Sequence, residues 1–62
     1  MTQHQAAAIR LRNAATANER AADTLAALPG EMRDIAFRHS LELRDAAALM
    51  LQWAGEIEGV KA

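Results

Sequence analysis

"LPGE", residues 28–31, decides how this chain folds. Proline lacks an amide proton and its ring clashes with the preceding turn, so it cannot sit inside a helix. It can open one, at the first helical position, where Glu31 then lies near the positive end of the new helix dipole. Pro-Gly is itself a turn signal. On either side run long stretches of Ala, Leu, Arg, Glu and Met, which are good helix formers, with few β-branched residues between them. The punctuation predicts a first helix over about 4–27, a turn at 28–30 and a second helix over about 30–58, with Gly55 and Gly59 fraying its end. The expected fold is all-α: one domain over 1–62, an antiparallel two-helix hairpin.

Apolar spacing assigns the faces. The first helix keeps a three-four rhythm through His4, Ala7, Leu11, Ala14, Asn18, Ala21, Leu25 and Leu28, widened by Ala8, Ala15, Ala22 and Ala26. Gln5, Arg12, Asn13, Thr16, Arg20 and Asp23 fall opposite, which makes the helix amphipathic. The second helix carries two apolar series. One runs through Met32, Ile35, His39, Leu43, Ala46, Met50, Trp53 and Ile57. The other runs through Phe37, Leu41, Arg44, Ala48 and Leu51, roughly 150° away at 3.6 residues per turn.

Closing the hairpin at Pro29 and Gly30 pairs Leu25 with Ile35, Ala21 and Ala22 with His39, Asn18 with Glu42 and Leu43, Leu11 with Leu49 or Met50, and Ala7 and Ala8 with Trp53. The expected hairpin core is therefore Leu11, Asn18, Leu25, Leu28, Met32, Ile35, His39, Leu43, Ala46, Met50, Trp53 and Ile57. The second series, Phe37, Leu41, Arg44, Ala48 and Leu51, is left as a partner or dimer interface. Asn18, central in an alanine-rich seam, is read as a buried polar residue that fixes register and oligomeric state.

The 62 residues include no cysteine, so disulfides and thiolate metal sites are excluded. A chain of this size buries little core and usually needs oligomerisation or another staple. The expected solution is a homodimer that forms a four-helix bundle. The formal charge of −1 is not the basic footprint of a general nucleic-acid binder. Hydrophobic residues make up 52%, which argues against an acidic disordered tail. Six of the seven basic residues are arginine, a bias common in GC-rich bacterial genomes and their phages and plasmids.

No secretory signal or membrane span is visible, so the expected compartment is the cytoplasm. The polar stripe of the second helix is too acidic for an interfacial membrane helix. His39 and Glu42 stand three residues apart, with His4 as a distant third group. Helix-borne dimetal sites need more inward carboxylates than this, so no metal or cofactor is expected. There is no phosphate loop, zinc motif or nucleophile–base constellation, and an enzyme is not expected.

In size and layout the chain resembles the Rop-type plasmid RNA-binding hairpins, which are dimeric four-helix bundles. The resemblance spans the whole length and rests on architecture, without a shared specific motif. It implies an RNA-binding regulatory role, for which Arg10, Arg12, Asn13 and Arg20 are the contact candidates. The leading expectation from the residues is different: a small non-enzymatic regulator, adaptor or inhibitor, dimeric, that binds another protein through an apolar face of the second helix.

Overall fold

The computed structural model describes residues 1–60; positions 61 and 62 of the expected single domain lie outside the described residues. Helix α1 spans Gln3–Ala26 and helix α2 spans Arg33–Glu58. They pack against each other along their length, and the pair measures 50 by 15 by 9 Å.

Each boundary has a local cause. Thr2 caps α1: its Oγ1 accepts from the Gln5 amide at 3.0 Å, and its own amide donates to Gln5 Oε1 at 2.9 Å. This reciprocal capping box satisfies two of the free donors at the helix start. At the other end, Ala27 and Leu28 donate back to Asp23 and Leu25. Pro29, in extended backbone, then disfavours a helical Leu28 and stops the chain. Gly30 turns it with φ +81°, a left-handed conformation open to glycine at little cost. A single 3-10 turn, Gly30–Met32, follows. Regular helix therefore begins at Arg33 rather than near residue 30, because the left-handed Gly30 and extended Pro29 cannot join an α-helical ladder.

The line of closest approach is made of small side chains. Ala8, Ala15 and Ala22 of α1 and Ala36, Ser40, Ala47 and Ala54 of α2 are fully buried. In α1 they recur every seven residues, as do Ser40, Ala47 and Ala54 in α2, the period that keeps one seam facing a partner helix. Between them Leu11, Asn18 and Leu25, and Leu43, Met50 and Ile57, are half-buried. The Ser40 hydroxyl sits in the seam without an unmet demand, since it donates to the Phe37 carbonyl of its own helix at 2.6 Å.

This corrects part of the expected core. Leu11, Asn18, Leu25, Leu43, Ala46, Met50 and Ile57 do flank the seam half-buried. Leu28, Met32, Ile35, His39 and Trp53 do not lie in the intramolecular seam; they are exposed, Met32 at 54% and Trp53 at 44%. The reason is steric. Two helices can approach closely only where side chains are small, so the alanines and the serine take the contact line. The largest residues swing to either side. The result is a lean structure, exposing 4737 Å². A compact monomer of the same 6.7 kDa mass exposes about 3,900 Å².

Two substitutions check this account. Ala15→Leu should overpack the seam and cost about 1–3 kcal/mol in urea unfolding, whereas Asn13→Leu, at an exposed position on the back of the same helix, should be close to neutral. Equal effects would mean that close approach does not set the stability. Gly30→Ala should cost about 1–2 kcal/mol, the strain of a left-handed non-glycine residue.

Candidate interaction surfaces

The seam divides the remaining surface of the hairpin into two long flanks. One flank takes Arg12 after Leu11, Arg44 after Leu43, Leu51 after Met50 and Glu58 after Ile57, with Phe37, which follows the small Ala36, at the same heptad position. The other takes the residues that precede each small one: Ala7, Ala14 and Ala21 on α1, and His39, Ala46 and Trp53 on α2. In an antiparallel pair, equivalent flanks of the two helices fall on the same side, and the ion pairs agree.

Two ion pairs cross between the helices, both on the first flank. Arg12 Nη2 donates to Glu58 Oε1, and Arg44 Nη2 donates to Asp23 Oδ1 at 2.7 Å. The hydrogen bond that Arg12 donates to Glu58 raises the pKa of its guanidinium, desolvation lowers it, and the attraction of the carboxylate charge adds a smaller rise. Arginine is charged in any case. Both pairs are largely open to water, so they orient the helices more than they stabilise them.

Phe37 and Leu41 stand between these pairs and the turn, exposed at 53% and 47%. With Ala26, Arg33, Asp34 and Arg38 they line an open groove of about 540 Å³. Leu51 lies further along the same flank, also exposed. The structure therefore keeps Phe37, Leu41, Arg44, Ala48 and Leu51 out of the seam and on one side. Arg44 is already engaged by Asp23, which the sequence pattern did not suggest. The rim cations at the groove are Arg33 and Arg38, and neither was among the expected interface residues. The signal that could have found them is their position four residues before and one after Phe37, on the turn above and beside it.

The second flank differs in kind. On α1 it is nearly flat: Ala7, Ala14 and Ala21, with Ala17 beside them. On α2 it is bulky: Ile35, Leu49 and Trp53 are exposed, and the exposed Leu28 and Met32 continue it at the turn. Its polar members on α2 include His39, whose Nδ1 lies 2.9 Å from Glu42 Oε1. His39 and Glu42 thus pair on the exposed surface of α2, and Asn18 is half-buried at the seam. Among the described residues no group of three or more His, Asp or Glu is gathered as a metal site would require.

The basic residues of α1 do not converge. Arg12 turns to Glu58. Asn13 and Arg20, seven residues apart, fall on the back of α1, away from α2. Arg10 is exposed beside the alanine flank. No helix of the described chain is long and apolar enough to cross a membrane. Comparison with known protein families, with curated proteins and with solved structures finds no match to this chain.

Proposed function

We propose that this chain is a small non-enzymatic interaction protein, dimeric, which regulates or bridges by binding another protein through the flank that carries Phe37, Leu41, Arg44, Ala48 and Leu51. The observation that carries this reading is the exposure of large apolar side chains on both flanks of a hairpin whose own seam uses alanine. Exposed apolar area that is contiguous rather than scattered is a mark of interaction surfaces.

The groove at Phe37 and Leu41 has the makings of an anchor site. It joins an aromatic and an aliphatic wall to a rim of two arginines, the residue types that dominate interface hot spots. A fitting ligand is a helical segment with one large aliphatic anchor and carboxylates placed to meet Arg33 and Arg38. Arg44 and Asp23 fix the floor beside it by holding the two helices in register.

The alternative is a Rop-like RNA-binding hairpin. It needs Arg10, Arg12, Asn13 and Arg20 to act as one surface, and it is the weaker reading. Arg12 is already committed to Glu58, the four residues point in three directions, and α1 has no aromatic residue for base stacking.

Both readings meet in one experiment, an affinity capture from host cells with and without nuclease. The protein reading expects a captured protein that survives nuclease and is lost with Phe37→Glu or Leu41→Glu, while both variants stay folded and dimeric by circular dichroism and sedimentation. Unfolded monomer from these variants would instead make the flank part of the core. Capture that nuclease removes, and that the combined Arg10→Ala, Arg12→Ala and Arg20→Ala changes abolish, would replace the protein reading with the RNA one.

A further inference from the structure

We infer that the alanine flank is the self-association surface, and that the second copy docks with its turn at the same end, so that each α2 lies on the partner's α1. This rests on the dimeric part of the proposed function and goes beyond it by naming the face, the symmetry and the contacts.

Three observations choose the occupant. First, the hairpin exposes 4737 Å², about 800 Å² above the surface scaling for its mass. That excess equals what one partner buries in an interface of standard size, about 800 Å². A face 50 Å long and 15 Å wide has the room for it.

Second, the seam residues are half finished. Leu11, Leu25, Leu43, Met50 and Ile57 are covered on one side by the opposite helix and remain half-buried. Their uncovered side faces the alanine flank, the same side as Leu28, Met32 and Trp53. Both helices therefore aim one continuous apolar stripe at one direction, about 50° off the line between them by helical period. That direction is where the centre of a four-helix bundle would lie.

Third, the other flank is already furnished with two cross-helix ion pairs. Among the described residues, the His39–Glu42 contact of the alanine flank lies within α2 and does not tie the helices together.

The symmetry follows from shape. The α1 side of this flank is flat and the α2 side is bulky. A two-fold axis across the bundle would stack α1 on α1 and α2 on α2, setting alanine against alanine and Trp53, Leu49 and Ile35 against bulk. A two-fold axis along the bundle sets each bulky α2 on a flat α1, which fills space evenly, as close packing requires.

Asn18 favours the same choice. With the axis along the bundle, the two Asn18 side chains stand at one height across the centre and can bond amide to amide. With the axis across it, they stand roughly 10 Å apart at 1.5 Å rise per residue, each amide buried among leucines without its twin.

The test uses the chain's lack of cysteine and its single tryptophan. Glu31→Cys, at the exposed turn, carries a spin label on an otherwise complete chain. Turns at the same end predict an inter-label distance under about 30 Å, given helix layers 8–10 Å apart. Turns at opposite ends predict more than about 40 Å, from 1.5 Å rise per residue over the helix length, and that result overturns the symmetry. Trp53 emission should shift to the red on dilution across the dimer transition. A monomer over a roughly hundred-fold concentration range, or an emission that does not move, overturns the face.

Ala21→Glu is the companion variant. Ala21 is exposed in the single hairpin, so the change leaves the seam intact and should weaken the dimer by roughly 100-fold, through a carboxylate buried without a partner. Dimers unaffected by Ala21→Glu but lost with Phe37→Glu would move self-association to the other flank and sink the inference. Failure of partner capture alone, with the labels still close, would count against the proposed partner site and not against this dimer.

Discussion

The close approach of α1 and α2 along a line of alanines and one serine governs everything else in this molecule. Alanine in a helix interior costs no side-chain entropy, and Ala8, Ala15 and Ala22 meet the other helix without pushing it away. Close packing gives good dispersion contact, yet each alanine buries little apolar area. The seam thus fixes geometry firmly and contributes modestly to stability. Two features reinforce it at low cost. Ser40 answers its own hydroxyl within α2, so that the contact line carries no polar debt, and the Arg44–Asp23 bond ties the two helices sideways.

From that constraint comes the two-sidedness of the hairpin. Residues too large for the contact line are displaced to one flank or the other. Trp53 and Phe37, the only aromatic residues in the chain, end on opposite flanks. The hairpin is therefore a layer and not a core. It has a grooved face toward Phe37, with cations at the rim, and a stepped face toward Trp53, with alanine beside it. The proposed partner site and the proposed self-association surface are the two sides of this layer.

Much of the architecture was legible in the chain. Proline and glycine at 29 and 30 locate the bend, and the absence of strand-forming runs makes the rest helical. The capping box is legible too, since Thr2 and Gln5 have its spacing. The seam differs from the expected core for a physical reason. Hydrophobic periodicity weighs size, and so favours the line through Ile35 and Trp53. Close helix packing inverts that weight: Ala36, Ser40, Ala47 and Ala54, each small, hold the buried line one position along from the large residues. The line through Ile35, His39 and Trp53 is a real pattern on α2, but it describes a direction rotated away from α1. The ion pairs were beyond any single-helix pattern, since Arg12 and Glu58 are brought together only by the fold.

The strict seven-residue recurrence of the small residues has a geometric consequence. An ideal α-helix drifts by about 20° in each heptad against such a repeat. To keep Ala8, Ala15 and Ala22 on Ser40, Ala47 and Ala54, the two helices must wind around each other in a left-handed sense. Both flanks then turn with them, by roughly 60° over three heptads, so each is a ribbon with a pitch and not a plane. Any occupant that covers the full length must share that winding, and a second copy of the same chain, built on the same repeat, shares it by construction. A straight rod could touch only part of either flank. Handedness thereby becomes a filter on partners, written into the chain by nothing more than the spacing of its alanines.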